Sequence, residues 1–106
     1  MNDLLSQGLA LKLVRLEDND KYIVYVHQNK RRNFGTPEEK VQAESFLSLV
    51  IDYKYPPERI RQFVNVQMGS DIKEADIIVY DDVLCLKPHI VVECKRQDVS
   101  ELEYQR

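Results

Sequence analysis

Two short apolar runs in the second half of the chain carry carboxylates where a buried strand ordinarily has none. Asp76 opens the run Asp76-Ile77-Ile78-Val79-Tyr80, and Glu93 stands at the end of Ile90-Val91-Val92, followed by Cys94 and Lys95. Both runs are short, rich in β-branched residues and bounded by turn formers, so they read as strands. Burying an unpaired carboxylate is costly, so acids carried into such strands need a partner or a task.

Side chains alternate along a strand, which puts Glu93 and Lys95 on one face with Val91. Their Cα atoms are then about 6.5–7 Å apart. If the strand of Asp76 lies next to that of Glu93, at a spacing of about 4.8 Å, the two carboxylates can meet. Two acids so close repel, and one titrates upward, unless a cation lies between them. Mg²⁺ suits such a pair, because it takes oxygen ligands and keeps several waters. The Cys94 carbonyl offers a further ligand. A lysine beside them would hold or deprotonate an attacking water, or contact a phosphate. The chemistry this suggests is hydrolysis of a phosphodiester. The competing reading is structural: Asp76 caps a turn, and Glu93 and Lys95 form an exposed ion pair worth under about 1 kcal/mol.

A chain of 106 residues is expected to form one domain with a modest core. With 43% hydrophobic and 31% charged residues it has the composition of a soluble globular protein. The net charge of −3 does not advertise nucleic-acid binding. Basic clusters nevertheless occur at Lys30-Arg31-Arg32, at Arg59 with Arg61, and at Lys95-Arg96. Cys85 and Cys94 are too few for a disulfide framework and lack partner histidines for zinc, so they are expected to pack as small hydrophobes. No stretch resembles a signal peptide or a membrane span, which makes a cytoplasmic, non-membrane protein the expectation.

Along the chain, residues 11–27 read as a β-hairpin with a polar turn at 17–21, and Gln28–Gly35 as a basic loop. Thr36-Pro37-Glu38-Glu39 is a helix start, with Thr36 at the N-cap and Pro37 at the first helical position. The helix is expected to run to Tyr53, with Ala43, Phe46, Leu47, Val50 and Tyr53 as its apolar stripe. At about 100° per residue, Glu39 heads that stripe while Glu38 and Glu44 face away. Glu39 therefore either reaches into a site or bonds back to the Thr36 amide in a capping box. Residues 57–61 suggest one short turn. Strands are expected at 63–68, 75–80, briefly at 84–86, and at 89–95, the last as a buried strand.

Four segments occur in a telling order: Thr36-Pro37-Glu38-Glu39-Lys40-Val41, Tyr55-Pro56-Pro57-Glu58, Ala75-Asp76-Ile77-Ile78-Val79-Tyr80-Asp81 and Val91-Val92-Glu93-Cys94-Lys95. Together, over roughly residues 34–97, they resemble the N-terminal nuclease domain of type I restriction enzyme R subunits, within the wider PD-(D/E)xK group. The resemblance implies an α/β (α+β) fold with a restriction-endonuclease-like core, a mixed central sheet flanked by helices, and here an N-terminal hairpin. It implies Mg²⁺-dependent cleavage of double-stranded DNA, with methylase and specificity subunits as partners. Asp76, Glu93 and Lys95 fall on the three core positions, and Glu39 is the best-placed extra glutamate on the first helix. Ala75 stands where the motif has proline. The resemblance also implies a helix with Gln and Tyr beyond the lysine, and ATP-driven translocase domains after it. The chain is thus expected to be a single nuclease-like domain over 1–106, with a hairpin and basic loop over 1–33 and a core over 34–106 cut short at its C-terminus.

Other features weigh less. His89 beside Pro88 is more plausible as a strand-end residue than as a ligand. Tyr22, Tyr25, Tyr53, Tyr55 and Tyr80 could stack on bases but are scattered over different elements. Lys30-Arg31-Arg32 fits a phosphate contact or a solvated loop equally. Asp71, Asp81 and Asp82 suit turns. Two functions compete with a DNA endonuclease: a catalytically inactive nuclease-fold module for DNA binding or assembly, and a phosphodiesterase acting on RNA or repair intermediates.

Overall fold

The polar run Asp18-Asn19-Asp20 reverses the chain with three consecutive left-handed residues, at φ of 56°, 56° and 66°. Asn and Asp tolerate that region better than most residues do. The turn joins β1 (Val14–Glu17) to β2 (Tyr22–Tyr25) in the expected antiparallel hairpin. In the computed structural model, which describes residues 4–93, the hairpin has a third strand. β3 (Lys30–Asn33) pairs antiparallel with β2, so the basic segment read as a loop is an edge strand. Its sequence shows no apolar alternation. The pairing is supplied by β2 and by two rings: the Arg31 guanidinium lies 3.8 Å from the Tyr22 ring centroid, and that of Arg32 lies 3.8 Å from Phe63.

A short helix, α1 (Leu4–Ala10), precedes the meander and had no signal in the sequence. It docks on α2 (Pro37–Ile51), whose start follows the cap chemistry: Thr36 is the N-cap, its Oγ1 accepts from the Glu39 amide at 3.3 Å, and Pro37 is the first helical residue. Ala43, Phe46 and Leu47 are buried and Val50 is half-buried, as the stripe requires. The helix ends before Tyr53, which is 68% exposed and off the core. Lys54 at φ 66° and the Pro56-Pro57 pair then close it off.

After a single 3₁₀ turn (Pro57–Arg59), β4 (Ile60–Met68), β5 (Asp71–Tyr80) and β6 (Pro88–Val92) form a second sheet in sequence order. The architecture is α+β: two helices and two three-stranded antiparallel sheets. Among the described residues every strand pair is antiparallel, where a mixed sheet was expected. The connections explain it. β4 and β5 are joined by the two residues Gly69-Ser70, with Gly69 at φ +63°, and parallel neighbours need a long crossover. Residues 84–86 form no strand, because Cys85 turns at φ 59° and the Asp82 carboxylate accepts from the Leu86 and Lys87 amides. β6 is not the buried strand expected: Pro88 and His89 are exposed, and Val91 is 54% exposed.

One core joins the layers. Ile23 and Tyr25 of the first sheet, Phe46 and Leu47 of α2, and Ile60, Ile77 and Val79 of the second sheet are all buried together. Tyr25 meets Phe46 edge to face at 5.3 Å between centroids, a favoured aromatic geometry. The strand β5 is divided along its length: Asp71–Glu74 are exposed, whereas Ala75 and Ile77–Tyr80 are buried.

Candidate acidic site

β5 and β6 pair as Val79↔Ile90, Ile78↔Val91 and Ile77↔Val92. β6 ends at Val92; the same register continued by one residue would set Glu93 across from Asp76. Directly opposed residues in an antiparallel ladder project to the same face with Cβ atoms about 5 Å apart. The two apolar runs singled out in the sequence are therefore neighbours, and each acid stands one residue beyond the Ile77–Val92 pair. Both Asp76 and Glu93 are half-buried. Cys94 and Lys95 lie outside the described residues.

On the other side of β5, the ladder with β4 is distorted at this level. Gln62 pairs with Ile77 and Val64 with Ala75, and between them Phe63 adopts φ 59°. A bulky residue in the left-handed region costs about 1–2 kcal/mol and is a genuine departure from strand geometry. The carbonyl of Asp76, the residue facing this break, accepts a 2.7 Å hydrogen bond from Gln42 Nε2 on α2. Gln42 is buried, so the helix is fastened to the backbone of the acid-bearing strand by a side chain that could not be left unpaired.

Glu39, one helical turn before Gln42, points inward. Its Oε2 receives Arg32 Nη2 at 3.4 Å, while its Oε1 is buried with no hydrogen-bond partner. The Thr36 hydroxyl takes the Glu39 amide, but the Glu39 carboxylate goes to Arg32. Burial pushes the Glu39 carboxyl above the usual range. The Arg32 charge and hydrogen bond oppose this shift, and the negative charges of Asp76 and Glu74 reinforce it, as neighbouring charges of either sign should. Glu44 is exposed, as expected, and Glu38 is half-buried.

Asp76, Glu93 and Glu39 thus come from β5, the end of β6 and the first turn of α2. Among the described residues no three His, Cys, Asp or Glu side chains are grouped closely enough to hold an ion by themselves. Two carboxylates with waters nevertheless suit Mg²⁺. The Glu39 oxygen without a hydrogen-bond partner lies close enough to feel the Asp76 charge, and a cation there would satisfy it. His89 is occupied elsewhere: at the opposite end of β6 from Glu93, its Nδ1 lies 3.1 Å from Asp81 Oδ1 and its ring meets Tyr55.

Three contributors escaped the sequence reading. Gln42 had a usable signal, since a polar residue three after Glu39 interrupts the apolar stripe. Arg32 and Phe63 had none, because their roles arise only when β3 folds over β4.

The structure describes an α+β domain in which Glu39, on the first turn of a helix, lies close enough to the antiparallel strand of Asp76 to feel its charge. The family model of the type I restriction enzyme R protein N terminus matches residues 37–105, and the chain belongs to that family. The match spans α2, the second sheet and all three acids. No curated protein and no solved structure matches the chain. No helix among the described residues is long and apolar enough to cross a membrane.

Proposed function

We propose that the chain is a Mg²⁺-dependent endonuclease domain of the PD-(D/E)xK kind, hydrolysing phosphodiester bonds of double-stranded DNA. The observation that carries this reading is the pairing of Ile77 with Val92, the neighbours of Asp76 and Glu93. Membership of the R-protein family supports it and makes methylase and specificity subunits the natural partners. Asp76 and Glu93 would hold the cation, which when bound supplies a Lewis acid beside the scissile phosphate and acidifies a neighbouring water. Gln42, through the Asp76 carbonyl, fixes the backbone on which that carboxylate stands. Glu39 adds negative charge at the rim, and Arg32 keeps that charge partly balanced. Lys95 follows Glu93 by two residues, a spacing that in an extended chain aims its ammonium to the same side, where it can hold the attacking water or the phosphate.

The test is plasmid cleavage by the full protein with its natural partners, with and without Mg²⁺. Asp76→Ala, Glu93→Ala and Lys95→Ala are each expected to lower the rate about 100-fold or more without loss of fold. Chelation of the metal should do the same to the unaltered protein. Undiminished cleavage by all three variants would place the chemistry elsewhere. DNA binding without cleavage under any condition would favour an inactive assembly module.

A further inference from the structure

A second feature lies beside the acidic site and shares none of its acids. Between the β2–β3 turn and the start of β4 is a cleft of about 330 Å³, lined by His27, Gln28, Lys30, Glu58 and Arg61 among others. At about 30 Å³ per water, that is space for roughly ten water molecules. Its wall is built, not incidental. Gln28 and Gln62 bind reciprocally, with Gln28 Nε2 donating to Gln62 Oε1 at 2.8 Å and the Gln62 amide donating to Gln28 Oε1 at 2.7 Å. Lys30 Nζ donates to the Gln62 carbonyl. Gln62 is fully buried, yet its Nε2 has no hydrogen-bond partner.

The electrostatics point the same way. Lys30 titrates below the usual lysine range, first because of burial and then because of the positive charges of Arg61 and Arg32, which the negative charge of Glu74 opposes in part. Cations crowded together in this way favour an anion among them. Glu58 offsets one charge of the lining, so that Lys30 and Arg61 leave one positive charge in excess. Arg61 is exposed, and the Cys85 thiol is its hydrogen-bond partner.

We propose that this cleft binds a phosphate of the DNA backbone, with Lys30 and Arg61 as the side chains that hold it. Arg61 precedes Phe63, the residue facing Asp76, by two positions on β4. That is about 7 Å along the strand, or about two base-pair rises of 3.4 Å. One duplex can therefore touch the cleft and the acids at once. The proposal takes the nature of its ligand from the DNA reading, but it does not depend on cleavage.

The experiment measures binding of the full chain to a 20-base-pair duplex by fluorescence anisotropy, in EDTA and over a range of salt. Arg61→Gln should weaken binding equally across sequences and lower the slope of log K against log salt by about 1, and Lys30→Gln with Arg61→Gln by about 2. Lys30→Arg keeps both the charge and a donor for the Gln62 carbonyl, and should restore the slope if Lys30 acts through its charge. Arg15→Gln, on β1, should leave the slope unchanged. Equal slope losses in Arg15→Gln and Arg61→Gln would overturn the site, since binding would then be diffuse. A tenfold preference for 5′-phosphorylated duplex, lost in Arg61→Gln, would overturn the backbone assignment in favour of a terminal phosphate. Because EDTA prevents cleavage, a wild type that binds through the cleft but never cuts would refute the nuclease reading and leave this one standing.

Discussion

Glu39 carries two duties at once, and its two atoms separate them. The backbone amide belongs to the helix cap, and the carboxylate is held by Arg32. Glu39→Gln should therefore leave the cap intact while removing a charge that the fold disfavours. The linkage has a definite sign. The Glu39 carboxyl lies above its ordinary value of 4.5 in the folded protein. It binds a proton more tightly there than in the unfolded chain, so stability falls as pH rises from about that ordinary value through the raised one. In Glu39→Gln that loss disappears. Relative to wild type, the variant should gain thermal stability as pH rises above about 4.5, measured by far-UV circular dichroism, and differ little at the acid end. A difference in melting temperature that stays constant across this range would mean that Glu39 is not perturbed by its surroundings. In the cleavage assay the same variant should lose activity, since it removes a negative charge from the proposed cation site.

At the scale of elements, α1 depends on a single missing methyl group. A Cβ at Gly8 would lie 2.5 Å from Leu47 Cδ2, and Leu47 is fully buried. Gly8→Ala raises helix propensity by up to about 1 kcal/mol. The forced overlap costs about 1–3 kcal/mol in a packed core, so the variant should melt lower than wild type. A rise in melting temperature would show that α1 can slide on α2. The same helix shows what a sequence can reveal. Thr36-Pro37 announces α2 because capping chemistry is settled within four residues. The first helix announces nothing: it is seven residues long with a glycine inside, and so short a helix forms only by packing on another element. β3 was hidden for a related reason: Lys30–Asn33 is a strand through its ladder with β2 and the rings beneath its arginines. β6 was legible in place but not in burial, since three apolar residues cannot say whether a sheet covers both their faces. That the run of Asp76 pairs with the run before Glu93 was legible, because alternation and adjacency follow fixed rules. Their attachment to α2 through Gln42 was not, because residues 42 and 76 meet only in the tertiary fold.

As a whole molecule, the protein has an overall charge of −3, so its cationic cleft acts against an unfavourable net field. The isolated chain should bind DNA weakly, with a dissociation constant of about 1–100 µM at physiological salt and a steep loss of affinity as salt rises. Titration of two unrelated duplexes should give equal affinities, and marked selectivity would show base readout. Both sheets are built from strands in sequence order, which keeps most pairings local and should let folding proceed in milliseconds or faster. The divided character of β5 has a consequence of another kind. Its exposed half, Asp71–Glu74, is the return arm of a hairpin that extends past the core, and nothing stands within 4 Å of where a Cβ would sit on Gly69 at its tip. A protease should cut first at Gly69-Ser70, leaving the two fragments associated through the buried half of the ladder. The same turn is where an inserted peptide tag should cause least harm, giving a handle for fishing out whatever larger assembly the domain belongs to.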